Sequence, residues 1–135
     1  MHAPEQADRG LARRAVSLAS LLVIAFGVAG CATTQGTFRP LAQSQPPKPA
    51  GVPIEVFESG APTRPFERIA RLDAHFEKTH FIHTTHEAGI AELQRQARLA
   101  GADAVIEVRE TRSRVGETFI LHLTGTGIVY TSGTD

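Results

Sequence analysis

The chain has 135 residues, 41% of them hydrophobic, and its 14 basic residues are balanced by 14 acidic ones. That length holds one small domain, and the even charge argues against the basic stripe with which nucleic-acid binders grip phosphate. With no Trp, one Tyr and one Cys, neither a stacking platform for bases or sugars nor an intrachain disulfide is expected.

Residues 1–30 have the parts of a secretory leader. Arg9, Arg13 and Arg14 form a positive start, residues 15–28 carry no charge, and the small Ala29 and Gly30 follow. The apolar run is shorter than the about 20 residues that a spanning helix needs. It is also apolar all round, where a core helix would alternate faces. Val28-Ala29-Gly30-Cys31 resembles the lipobox of bacterial lipoprotein signal peptides. The resemblance implies cleavage before Cys31, diacylglycerol on its thiol and acylation of the new N-terminus. One chain anchors a protein only marginally, and three hold it on the membrane. In such lipoproteins an Asp after the cysteine favours the inner membrane. Ala32 stands there instead, which implies the periplasmic face of the outer membrane.

Without the leader's three basic and two acidic residues, 11 basic and 12 acidic residues remain. Residues 31–51 read as the lipidated end followed by a flexible tether. Pro40, Pro46, Pro47 and Pro49 stand there among Gln, Ser, Thr and Gly, a composition that buries too little surface to order itself. As polyproline the segment would span roughly 60 Å, and as a coil about 25 Å. Its expected role is to hold a domain off the bilayer. A second reading makes residues 45–49 a Pro-rich ligand for a partner.

The globular part is expected over residues 52–131. Ile54 and Val56 flank Glu55 in a short strand, closed by Gly60, Pro62 and Pro65. Residues 66–76 form a second strand, and Ile69 and Leu72 break its alternation, so a bulge is expected near Ala70. Residues 85–100 read as a helix capped by Thr84 or Thr85. Ile90, Leu93, Ala97 and Ala100 make its apolar face, and Gly101 stops it. Gly89 should cost about 1 kcal/mol there relative to Ala. Residues 104–108 look like a buried strand, continued with alternating charge to Arg114. Val115-Gly116-Glu117 turns the chain into a β-prone run over residues 118–130, in which Gly125 and Gly127 permit a bulge or a close backbone approach. The sum is an α+β domain of β-β-α-β-β order, with one helix on a mostly antiparallel sheet.

The run from Ala97 through Gly101-Ala102-Asp103-Ala104-Val105-Ile106, followed by Gly125-Thr126-Gly127-Ile128-Val129, resembles a group of small bacterial domains. The group includes the YbjQ-type domains described as heavy-metal-binding, the lipoprotein sensor of the Rcs envelope-stress pathway and several envelope lipoproteins. The resemblance spans about residues 54–130 and implies a shared α+β fold. The Rcs sensor relies on disulfides, for which this chain has no free cysteine. Gly101 and Asp103 fall in the turn between helix and strand, where structural roles are expected.

His80, His83 and His86, with His75 before them, form the one unusual cluster. His-x-x-His-x-x-His can ligate Zn, Ni or Cu, and Glu77 or Glu87 would complete the shell. The competing readings are a solvated loop with no cofactor and a pH sensor, since imidazole titrates near pH 6.5. Ser44, Ser59, Ser113 and Ser132 stand in linker, turn or tail contexts without a nucleophile elbow. Glu107 and Glu110, three apart on a strand, point to opposite faces. His122 is expected to face outward. The sequence therefore predicts a non-enzymatic, lipid-anchored module that contacts the membrane through its lipid and binds an envelope protein. A homo-oligomer is compatible with it, and metal binding through His80, His83 and His86 is the alternative.

Overall fold

The protein is represented by a computed structural model that describes residues 33–79 and 84–132. Five strands and one helix follow in chain order: β1 (Thr33–Pro40), β2 (Glu55–Val56), β3 (Phe66–Thr79), α1 (His86–Ala100), β4 (Ala104–Val115) and β5 (Thr118–Tyr130). The strands form one sheet in the order β1-β3-β5-β4-β2. Every pairing is antiparallel except the short parallel contact of β2 with β4. The α+β fold, one helix on a mostly antiparallel sheet, is as the sequence predicts. The centre of the sheet is β5, flanked by β3 and β4.

The tether expected over residues 31–51 is not a tether in its described part. Thr33–Pro40 pairs along its whole length with β3, from Thr33 opposite Glu77 to Pro40 opposite Ala70. Thr33, Thr34, Thr37 and Phe38 are β-favouring, and they escape an alternation test because nearly every residue of the strand is exposed. The Pro-rich stretch after it is docked. Lys48 N–H donates to the Arg98 carbonyl at 2.9 Å, and Lys48 Nζ lies 2.7 Å from Asp103 Oδ1. Residues 45–49 are thus engaged by their own domain.

Helix α1 begins where its cap requires. Thr85 is extended, and its hydroxyl accepts from Ala88 N–H at 3.2 Å. At the other end Gly101 adopts φ 79°, a left-handed value that a side chain resists, and it bonds back to the last turn. A Cβ on Gly101 would also stand 2.7 Å from the Pro46 carbonyl oxygen. Leu93, Ala97 and Ala100 are buried, with Ile90 partly so. They pack on Ala70, Leu72, Ala74, Phe76, Leu121 and Leu123 of the sheet. On the outer side of the helix Gln94 and Arg98 donate to the Ile54 and Val52 carbonyls, at 2.8 and 3.0 Å, and hold the approach to β2.

Strand β3 shifts register between Arg68 and Ala70, which lets Ile69, Ala70 and Leu72 share one core. A second irregularity lies between Ile106 and Arg109 of β4. There Glu107 takes φ 57°, unusual for a residue with a side chain. A small second core of Ala104, Ile106 and Ile128, with Phe57, Phe66 and Tyr130, covers one end of the face opposite the helix.

The Gly89 penalty has a compensation. A Cβ there would stand 2.6 Å from Leu123 Cδ1, and Leu123 is fully buried. Gly89→Ala should gain about 1 kcal/mol of helix propensity and lose about 1–3 kcal/mol to overpacking. The expected net is a loss of about 1 kcal/mol in urea unfolding; a stabilised variant would contradict this packing.

Candidate functional site

Three surface features carry chemistry. The first is the outer edge of β1. Among the described residues no strand pairs with that edge, and Arg39 is its single charged residue. Beside it runs an apolar groove lined by Phe38, Pro40, Ile69, Ala70 and Leu99. Phe38, Leu41 and Leu99 are 37%, 50% and 42% exposed, which makes this the main concentration of exposed large apolar side chains among the described residues. The opposite margin of the sheet differs. Past Val105 the outer side of β4 is unpaired too, yet it carries Arg109, Glu110, Arg112 and Arg114 and an irregular backbone. Charges and bulges of this kind deter edge pairing; β1 has one charge, Arg39, and no bulge.

The second feature is His86 at the first position of α1. Its Nδ1 lies 2.5 Å from Glu110 Oε2, and its Nε2 lies 2.8 Å from Glu58 Oε2. Both nitrogens can donate only as imidazolium. Glu110, then Glu58, raises the His86 pKa above its ordinary 6.5. The Arg112 guanidinium, then His86, holds Glu110 below the ordinary 4.5. The cluster ties the helix start to β4 and to the loop after β2.

The third feature is the sheet face that bears no helix. Cross-strand register places His75 opposite His122 and Asp73 opposite Thr124 there. His122 Nε2 lies 2.7 Å from Asp73 Oδ2, His75 Nε2 lies 3.0 Å from Glu77 Oε1, and the two rings meet edge to face at 5.7 Å. Arg71 and Arg109 line a polar hollow beside them with Glu107, Thr124, Gly125 and Thr126. Arg68 Nη2 donates to Glu107 Oε1 at 2.6 Å, and Thr126 Oγ1 donates to Oε2 at 2.8 Å. These two partners keep the carboxyl below its ordinary pKa.

Of the residues singled out from the sequence, Cys31, His80 and His83 lie outside the described residues. His86 is engaged by carboxylates, and His75 sits on the opposite side of the sheet, so these two cannot share an ion. Among the described residues no three His, Cys, Asp or Glu side chains are grouped as a metal would need. Gly101 caps the helix. Asp103 accepts from Tyr130 N–H at 2.8 Å; although burial opposes it, Lys48 and that N–H hold its pKa low. Glu107 reaches the uncovered face and Glu110 the helix side. The His75–His122 pair and the Arg71–Arg109 hollow were not read from the sequence, because their members come from different strands and only register joins them. No helix among the described residues is long and apolar enough to cross a membrane. No protein-family model, no curated protein and no solved structure matches the chain.

The His86 cluster has a definite pH signature. Because its folded pKa is raised, the His86 contribution is full below the unfolded value near 6.5 and fades as pH rises through the folded value. The Glu110 contribution is lost at the acid end, as pH falls through its lowered value. His86→Gln should therefore lower the melting temperature most near pH 5.5 and least above about pH 8, by a few °C at most because the pairs are partly exposed. A melting difference that is flat from pH 5 to 8.5 would refute the assignment.

Proposed function

We propose that this chain is a lipid-anchored module of the bacterial envelope, joined through Cys31 to the periplasmic face of the outer membrane. Its work is to hold a partner protein rather than to catalyse a reaction. The observation that carries the binding role is the β1 margin, where an open, charge-poor strand edge runs beside the apolar groove of Phe38 and Leu99. Such an edge accepts an extended segment by main-chain pairing, and a neighbouring pocket supplies side-chain specificity. The fitting partner is an envelope protein with an exposed strand-forming segment that bears a large apolar side chain. The lipid anchor is supported by the charged start, the apolar run and the small residues before Cys31.

The anchor lies close to this margin along the chain. Cys31 precedes Thr33 by two residues, and two extended residues span about 7 Å. A partner seated on β1 therefore works at the membrane surface, where a long tether would have placed it in mid-periplasm.

Two measurements test the two halves separately. Labelled fatty acid should enter the wild-type protein and be absent from Cys31→Ala, which should leave the membrane fraction; equal labelling or unchanged fractionation would end the lipid assignment. A photo-cross-linker at Thr37 should capture one discrete envelope protein in intact cells, and Leu99→Glu should abolish the adduct without lowering the melting temperature. Capture from Ser113 on β4 but not from Thr37 would put the interface elsewhere. An adduct with a second copy of the chain would make the occupant of the edge a homo-oligomer instead.

A further inference from the structure

The uncovered face of the sheet carries a row of three guanidinium groups to which no described carboxylate is hydrogen-bonded. Arg39 on β1 stands directly opposite Arg71 on β3. Like charges in that relation destabilise a sheet. Arg71 in turn shares its hollow with Arg109 of β4. None of the three guanidinium groups makes a hydrogen bond or a salt bridge with a described residue, although Arg109 stands close enough to Glu107 to help lower its pKa. Two carboxylates stand near. Both oxygens of Glu107 are taken by Arg68 and Thr126, and Asp73 is bound through Oδ2 to His122.

The backbone is bent to assemble this row. Ile106 stands opposite Thr126 and Arg109 opposite Thr124, so β4 holds one residue more than β5 between the two rungs. That extra residue keeps Arg109 on the uncovered face; regular alternation from Ile106 would have sent it to the helix side. The bend is accompanied by φ 57° at Glu107, a conformation that costs free energy and tends to persist where a site uses it. Thr124 also lines the hollow, and its hydroxyl is without a partner among the described residues.

We propose that this hollow binds a phosphate group, with Arg71 and Arg109 as the principal ligands, Thr124 as a further donor and Arg39 completing the charge. Guanidinium forks match tetrahedral oxyanions in bidentate fashion. A bound dianion would also cancel the Arg39–Arg71 repulsion, so binding and stability rise together. The phosphate can belong to a soluble phosphorylated compound or to a lipid headgroup. The inference does not depend on the lipid anchor or on the β1 partner, since it concerns the other side of the sheet.

The test uses the full chain and inorganic pyrophosphate as the probe, read by calorimetry and by melting temperature at low salt. Binding should weaken by about tenfold or more in Arg71→Gln and in Arg109→Gln, given the strength of hydrogen bonds between charged groups, and it should be unchanged in Arg114→Gln. Without ligand, Arg71→Gln should melt no lower than wild type, because it removes a repulsion. A parallel flotation assay compares vesicles of phosphatidylcholine with vesicles containing phosphatidylglycerol, using the unlipidated Cys31→Ala chain. Selective flotation with the anionic lipid that is lost in Arg71→Gln identifies a headgroup; pyrophosphate binding without flotation identifies a soluble ligand. The proposal falls if neither probe binds at millimolar concentration, or if Arg71→Gln and Arg109→Gln together leave binding intact.

Discussion

Between α1 and β5 the Leu123 side chain occupies the space that Gly89 leaves open. Leu123 of β5 reaches to within 2.6 Å of where a Gly89 side chain would begin, while at Gly125 the crowding atom is Val105 Cγ1 of β4 at 2.7 Å, with Leu93 of α1 in ordinary contact at 3.5 Å. The helix thus offers the sheet a recess at Gly89, and Leu93 and Leu123 are both fully buried. A side chain in that recess would lift the helix from the sheet. The remaining buried apolar side chains of α1 are Ala97 and Ala100, which are too short to bridge a wider gap. The close approach is therefore the condition on which the rest of the domain depends.

With the helix pressed onto one face, the sheet has two unlike surfaces. The closed face buries the apolar alternation of β3 and β5. The other, beyond the small cluster around Ile128, presents histidines, threonines and arginines to solvent. An antiparallel sheet tolerates such an arrangement, but tolerance does not account for repelling arginines on adjacent strands or for a left-handed backbone at Glu107. Both are local costs, and both fall on the uncovered side. The margins of the sheet are unlike as well, one crowded with charge and one nearly bare.

Much of the fold was legible because its determinants are local. Thr85 and Gly101 bound the helix through their own backbone preferences, the spacing of Leu93, Ala97 and Ala100 shows which face it buries, and the misfit of Ile69 with Leu72 marks the bulge in β3. Strand β1 was not legible, because an edge strand exposed on both faces has no apolar period to detect. The docking of the Pro-rich stretch was hidden for a different reason. It relies on a backbone carbonyl of Arg98, an absent Cβ at Gly101 and an ion pair from Lys48 to Asp103, none of which is written in the composition of residues 41–51. The candidate sites were least legible of all. Arg39, Arg71 and Arg109 are far apart in sequence, and Arg109 joins the others only through an irregularity in β4. Proximity along the chain misled in the opposite direction, since His75 lies near His86 in sequence and on the other side of the sheet in space.

The place of β1 also decides how the protein would bear force. Were Cys31 joined to lipid as proposed, a pull from the membrane would enter the domain at Thr33, the first residue of that strand. A partner paired along the outer edge of β1 would take the load from the same eight residues. Tension between membrane and partner would then run through a single strand, shared among the hydrogen bonds on either side of it. The helix and the other four strands would lie off that line, serving as the backing that keeps one strand straight.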